Sequence, residues 1–237
     1  MKYLFFALLS LFIFTSCSKN KDNQLSSDEE KDGWKLLFDG KTLTNWHLYN
    51  NPDNTSSAWK VEDGAMVYSA DSANVEHEDL VTNQDFENFD FKFEWKISEE
   101  GNSGVFINVL ERKDIPTAWA SGPEYQLLDS LHPDYAVNMK KRPGCLYNFS
   151  EQKNPVAAKP AGEWNEGRIK QENGKVEFYL NGIQTAEQDF KSDQWKEMIQ
   201  NSGFNYFPDF GKTTKGKIAL QKWYKTVAFK NLRIKEL

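Results

Sequence analysis

Cysteine is nearly missing: the 237 residues include Cys17 and Cys145 and no other. A disulfide framework is therefore excluded as the source of stability, and with Cys17 consumed by processing no intrachain disulfide can form. Histidine is almost as scarce. His47, His77 and His132 stand far apart, and none has metal-ligand spacing of the H-x-x-x-H kind. There is no basic face. The formal charge is −6, one unit more negative once Lys2 is lost with a leader, and Lys140-Lys141-Arg142 reads as solvated surface. Such a chain is not expected to bind nucleic acid. Nucleophile elbow, P-loop and dinucleotide fingerprint are all absent. The marked apolar run, Tyr3 to Phe14, is well short of the ~20 residues that a membrane-spanning helix needs.

That run follows the positive start Met1-Lys2 and precedes Phe14-Thr15-Ser16-Cys17. Residues 1–16 are expected to be a secretory leader, with small residues before Cys17 as in a bacterial lipoprotein cleavage box. Lys19 to Asp32 is polar and lacks apolar periodicity, so residues 17–32 are expected to be a flexible tether. The remaining roughly 205 residues show no break in composition and are expected to form one domain, 33–237.

Aromatic residues are abundant: eight Trp, nine Tyr and seventeen Phe. They suffice for a two-layer core and leave some for sugar-binding platforms. In Asp90 to Ile97, Phe91, Phe93, Trp95 and Ile97 share one face while Asp90, Lys92, Glu94 and Lys96 share the other. This is the alternation of a half-buried antiparallel strand. Val176 to Leu180 runs into Asn181-Gly182, a two-residue hairpin turn. Lys217–Trp223 and Thr226–Ile234 are predicted to form a closing hairpin. A single helix is predicted near 192–201, with Trp195, Met198 and Ile199 on one stripe, Ser192 or Asp193 as its cap and Gly203 as its end. Short strands punctuated by Gly and Asn turns predict an all-β sandwich. Cys145 is expected to be a small buried hydrophobe.

Polar islands interrupt this pattern. Gly122-Pro123-Glu124-Tyr125-Gln126-Leu127-Leu128-Asp129 is the most informative, because period two puts Glu124 and Gln126 on one face and Tyr125 and Leu127 on the other. A carboxylate beside an amide on a strand face suggests that the face meets water or a ligand. Other islands are Gly101-Asn102-Ser103-Gly104, expected to shape a turn, and Gly162-Glu163-Trp164-Asn165. Glu76-His77-Glu78-Asp79 looks like a ligand cluster but is expected to be a solvated loop.

These islands, in this order, resemble the 3-keto-disaccharide hydrolase domain of secreted bacterial proteins, from Gly33 to Leu237. The likeness opens with Gly33-Trp34-Lys35-Leu36-Leu37-Phe38-Asp39-Gly40 and continues through Trp59-Lys60-Val61-Glu62-Asp63-Gly64 and the islands above. It ends with Ile218-Ala219-Leu220-Gln221 and Phe229-Lys230-Asn231-Leu232-Arg233-Ile234. It implies a concanavalin-like jelly roll with a groove for carbohydrate and a lipidated Cys17. A domain so anchored would sit on the periplasmic or outer-membrane face of the envelope. The implied activity is cleavage of glycosides already oxidised to a ketone at sugar carbon 3. Such a site needs a base near C2, a group to stabilise charge on the C3 oxygen and a proton donor for the leaving oxygen; a divalent metal ion could serve the second need.

Glu124 is the first candidate base or metal ligand, with Glu94 and His132 as further acid–base candidates. Gln126, Asn102, Tyr147, Trp164, Gln221 and Trp223 are candidates for sugar binding. The chain departs from the family pattern after Gln221. Relatives carry Asp-His-Gly where this chain reads Lys222-Trp223-Tyr224, and an Arg near the position of Asn108. A non-catalytic carbohydrate-binding lipoprotein is the alternative.

Overall fold

The structure, a computed structural model, describes residues 21–237; the expected leader and Cys17 lie outside the described residues. In chain order the elements begin with α1 (Ser27–Lys31), β1 (Lys35–Leu36), β2 (Trp46–Leu48), β3 (Trp59–Glu62), β4 (Ala65–Tyr68) and β5 (Leu80–Thr82). Then come β6 (Phe89–Ile97), β7 (Asn102–Val109), β8 (Glu124–Leu128), α2 (Pro133–Val137), β9 (Asn165–Glu172) and β10 (Lys175–Leu180). The chain closes with β11 (Ile183–Asp189), α3 (Asp193–Gln200), β12 (Lys217–Leu220) and β13 (Val227–Glu236).

Two antiparallel sheets result. One runs β11-β10-β9-β6-β13-β4-β3, with β1 also paired to β13; the other runs β2-β5-β12-β7-β8. The core lies between them because each sheet turns one alternating apolar face inward. β6 contributes Phe91, Phe93, Trp95 and Ile97, and β8 contributes Tyr125 and Leu127, all buried. Tyr125 packs edge-on against Phe93 and Phe178, with ring centroids 5.5 and 5.1 Å away, and its hydroxyl donates to Tyr179 O at 2.9 Å. With Tyr125 and Leu127 committed inward, Glu124 and Gln126 must face outward from the five-stranded sheet. The all-β sandwich predicted from alternation is therefore the observed architecture.

The Asn181-Gly182 turn joins β10 to β11, both residues at positive φ (49° and 82°), as a two-residue hairpin of this twist requires. The predicted closing hairpin does not form. β12 belongs to the five-stranded sheet and β13 to the other, so residues 221–226 cross between layers. Asn102-Ser103-Gly104 is likewise not a turn but the start of β7, paired residue for residue with β8. The predicted helix is present as α3. Ser192 Oγ accepts from Trp195 N at 3.1 Å, and Trp195 and Ile199 are its buried stripe. It stops at Asn201, and Gly203 opens a separate 3-10 turn. Two further short helices, α1 and α2, went unpredicted because each is a single capped turn with no buried stripe.

Residues 21–32 are held on the domain rather than forming a free tether. Asn23 Nδ2 donates to Gly64 O at 2.8 Å, and Asn231 N donates to Asn23 Oδ1 at 2.9 Å. Asp32 pairs with Lys235 at 2.7 Å and Glu29 with Arg233 at 3.0 Å. Polarity alone did not predict this, because the segment is fixed by amides and charges that match β13 rather than by apolar burial.

Candidate active site

The open face of the five-stranded sheet is the floor of a cleft of about 1040 Å³. β8 supplies Glu124 and Gln126, β7 supplies Asn102, and Gln221 follows β12. Backbone register brings them together. Gly104 lies opposite Gln126 across the β7–β8 ladder, and Gln221 N donates to Gly104 O at 2.9 Å. The long excursion after β8 returns along that strand's other edge. There Gly144 N donates to Gln126 O at 2.9 Å, Gln126 N to Cys145 O at 3.1 Å and Tyr147 N to Glu124 O at 3.0 Å. Since Leu146 pairs with the inward-facing Tyr125, Tyr147 stands beside Glu124 on the cleft side.

Glu124 is buried, with 8% of its surface exposed. Beside it lies Gln126, whose amide in one of its two orientations donates to Asn102 Oδ1 at 3.3 Å. With the amide nitrogen turned to the carboxylate, Gln126 donates to Glu124 Oε1 at 2.9 Å and to Ser103 O at 3.3 Å. Burial raises the Glu124 carboxyl well above the usual carboxylate range, the negative charge of Asp79 raises it further, and Lys141 offsets part of the effect. The carboxylate is seated over Gly104: a Cβ there would lie 2.0 Å from Glu124 Oε1. Gly104 does not have a positive φ, so its requirement is steric.

A polar chain surrounds the carboxylate. Lys141 Nζ donates to Asp134 Oδ2 at 2.8 Å and lies 5.7 Å from the centroid of the Tyr147 ring, and both neighbours favour the charged ammonium. Burial and the nearby Glu124 charge raise the Tyr147 phenol. His132 caps α2, its Nδ1 accepting from Asp134 N at 3.1 Å, which puts the ring proton on Nε2. Gln221 Oε1 is buried without a hydrogen-bond partner among the described residues, an acceptor available to a sugar hydroxyl. A further wall is built from α3 and the turn after it, through Gln194, Glu197, Met198, Phe204 and Phe207, with Trp119 packed edge-on against Phe207 at 4.8 Å. Trp223, 53% exposed, stands at the rim.

Asn102, Glu124, Gln126, His132, Tyr147, Gln221 and Trp223 thus line one cleft. Glu94 and Trp164 do not. Glu94 alternates with the core aromatics of β6 and faces away from the five-stranded sheet, where it accepts from Asn231 Nδ2 at 2.8 Å. Trp164 lies on that same outer surface beneath Lys96 and Lys230, at 4.9 and 4.6 Å from its ring centroid. Asn108 also turns from the cleft, exchanging hydrogen bonds of 2.7 and 3.0 Å with buried Gln171. Cys145 is fully buried and its thiol is pushed up to about 12, as expected of a packing residue.

Asp79, expected in a solvated loop, is a correction. It is buried, not solvated, and shares the cleft side of the sheet with Val81 two residues on. Its Oδ1 accepts from Lys222 N at 2.9 Å. Burial lifts its carboxyl to about 7. The available signal was its place just before the apolar strand Leu80-Val81-Thr82. Because Asp79 charge raises Glu124, the Asp79→Asn variant is expected to move the acid limb of a pH–rate profile to lower pH. A limb unchanged in kcat/KM against pH would remove Asp79 from the account.

Among the described residues no group of three or more His, Cys, Asp or Glu side chains converges to hold a metal ion. The polar groups lining the cleft are the carboxylates of Glu124, Asp134 and Glu197 together with amide, phenol, imidazole and ammonium groups.

Two antiparallel sheets, one carrying a polar, aromatic-walled cleft on its open face, define an antiparallel β-sandwich with a candidate catalytic centre. The sequence profile of the 3-keto-alpha-glucoside-1,2-lyase-like domain matches residues 33–235, and the chain belongs to that family. It is 31% identical over 233 residues to a 3-keto-disaccharide hydrolase of Bacteroides thetaiotaomicron, across 88% of this chain and 80% of that protein. A candidate glycosyl hydrolase from Parabacteroides distasonis superposes with a TM-score of 0.82 at 34% identity, across 92% of this chain and all of the other. A second such protein from the same organism gives 0.67 at 26% identity, across 86% and 99%.

Proposed function

We propose that the chain is an envelope-anchored enzyme that cleaves 3-keto-glycosides by elimination followed by hydration. The observation that carries this reading is the buried Glu124 carboxylate on the cleft floor, with an amide for its partner. A sugar-binding site gains little from a desolvated, raised carboxyl, whereas a general base needs one tuned toward neutrality. Membership of the family and the relative's 3-keto-disaccharide activity point the same way.

A ketone at C3 acidifies the hydrogen on C2. Glu124 takes that proton, and the C2–H electrons form a C2=C3 enolate with the negative charge on the C3 oxygen. The Tyr147 hydroxyl, with the Lys141 ammonium beside its ring, donates to that oxygen. The enolate then collapses: the C3 carbonyl re-forms, a C1=C2 double bond appears and the C1–O bond breaks. His132 Nε2–H donates a hydrogen bond to the departing oxygen, which takes its proton from an incoming water. The hydroxide left from that water adds to C1, and the proton held by Glu124 goes to C2, so the sum is hydrolysis. Asn102, Gln126 and Gln221 orient the sugar hydroxyls.

The test is aglycone release from a chromogenic 3-keto-glucoside and from its unoxidised counterpart, each with and without a divalent metal. Release confined to the keto substrate is expected. Equal release from both substrates would point to ordinary oxocarbenium chemistry and contradict the proposal; release from neither would do so as well.

A further inference from the structure

A second cavity of about 590 Å³ adjoins the cleft, and His132 and Trp223 line both. Tyr68, Glu100, Pro133, Lys222 and Tyr224 complete its wall. The cleft by itself is already at the upper end of the ~300–1,000 Å³ usual for small-molecule sites, so a pair of sugars flanking the scissile bond does not require this extra space. Trp223 and Tyr224 are 53% and 56% exposed, large apolar surface at the edge of the cleft.

Their backbone is nevertheless pinned. Lys222 N donates to buried Asp79 at 2.9 Å, and Asn102 N donates to Tyr224 O at 3.4 Å. Lys225, which follows them, is held by Glu100 Oε2 at 2.6 Å and Glu99 O at 3.0 Å. The rings are thus presented from a fixed segment, which lowers the ordering cost of stacking a ligand on them. The chemistry around them is mixed. Two ring faces stand among an ammonium, a carboxylate and an imidazole N–H, and a wholly apolar ligand would desolvate those charges without compensation. A sugar ring has an apolar C–H face for the aromatics and hydroxyls for the charged groups.

We propose that this cavity is a carbohydrate subsite one sugar beyond those held in the cleft, with Trp223 as the platform between the two. The substrates are therefore keto-sugars carried in oligosaccharides of three or more units. This inference rests on the cleft being the 3-keto-glycoside site, but its test needs no turnover. Binding of unoxidised cellobiose and cellotriose, and of maltose and maltotriose, is measured by calorimetry on the Glu124→Gln protein, so that no cleavage intervenes. In at least one series the trisaccharide is expected to bind roughly three- to tenfold tighter, the scale of one aromatic stack. Tyr224→Ala, which touches only the second cavity, should erase that advantage and leave disaccharide affinity within about twofold; Trp223→Ala should weaken the trisaccharide more than the disaccharide. No chain-length advantage in either series, or an advantage that survives both substitutions, overturns the subsite. Keto-substrate cleavage without a length advantage would sink the subsite alone, and a length advantage without cleavage would sink the chemistry alone.

Discussion

Glu124→Gln is expected to lower kcat on a 3-keto-glycoside by about 10²–10⁴, the usual contribution of a positioned general base, while KM changes little. The substitution keeps the shape and the hydrogen bond to Gln126 but removes the atom that takes the proton. It should also stabilise the fold at neutral pH. The folded-state pKa of Glu124 lies above the unfolded value, so between the two the folded chain holds the extra proton and loses stability as pH rises. Glutamine pays no such cost. A Tm gain of a few degrees is expected at pH 7, since ~1 kcal/mol corresponds to ~2–4 °C in a domain of this size. Below about pH 4, where the carboxyl is neutral in both states, the gain should vanish. A variant with full activity, or one less stable than wild type at pH 7, would contradict this assignment.

Gly104→Ala should be nearly as damaging, although residue 104 has no side chain to contribute. Its Cβ would fall 2.0 Å from Glu124 Oε1 and 2.7 Å from the carboxyl carbon. The backbones are fixed by the β7–β8 ladder, so the carboxylate must swing away. Misplacement of a reacting group by ~1 Å costs about 10²-fold, and overpacking costs about 1–3 kcal/mol of stability. Gly104→Ala combined with Glu124→Gln separates the two effects. If Gly104 acts by seating the carboxylate, the double variant should be no slower than Glu124→Gln alone. Multiplied losses would mean that Gly104 does something else, and wild-type kcat in the single variant would mean that the carboxylate is not confined as described.

The cleft was partly legible in the sequence because β8 alternates cleanly. Once Tyr125 and Leu127 are recognised as core, Glu124 and Gln126 follow, and β7 and β12 add Asn102 and Gln221 by pairing. Glu94 satisfied the same local rule and failed because a sandwich has two outward faces. Alternation says that Glu94 points out, not which sheet it points out from, and that depends on strand pairing between residues far apart in sequence. The 217–234 segment erred for the same reason, since two good strand patterns joined by a short link read as a hairpin unless the layers are known. His132 and Tyr147 sit on an irregular excursion, where placement comes from backbone bonds to β8 that no periodicity announces. Asp79 was misjudged because three polar neighbours, Glu76, His77 and Glu78, made its segment look solvated.

The most direct test of the central claim is to run the reaction in D₂O and locate deuterium in the released 3-keto sugar by NMR. Removal of the C2 hydrogen by Glu124, with exchange of that proton for solvent before the hydration step, predicts deuterium at C2 and its loss along with turnover in Glu124→Gln; substrate deuterated at C2 should in either case react more slowly by a primary isotope effect. A released sugar that keeps its original C2 hydrogen, with no isotope effect from C2 deuteration, would mean that C1 is attacked directly, and would contradict elimination.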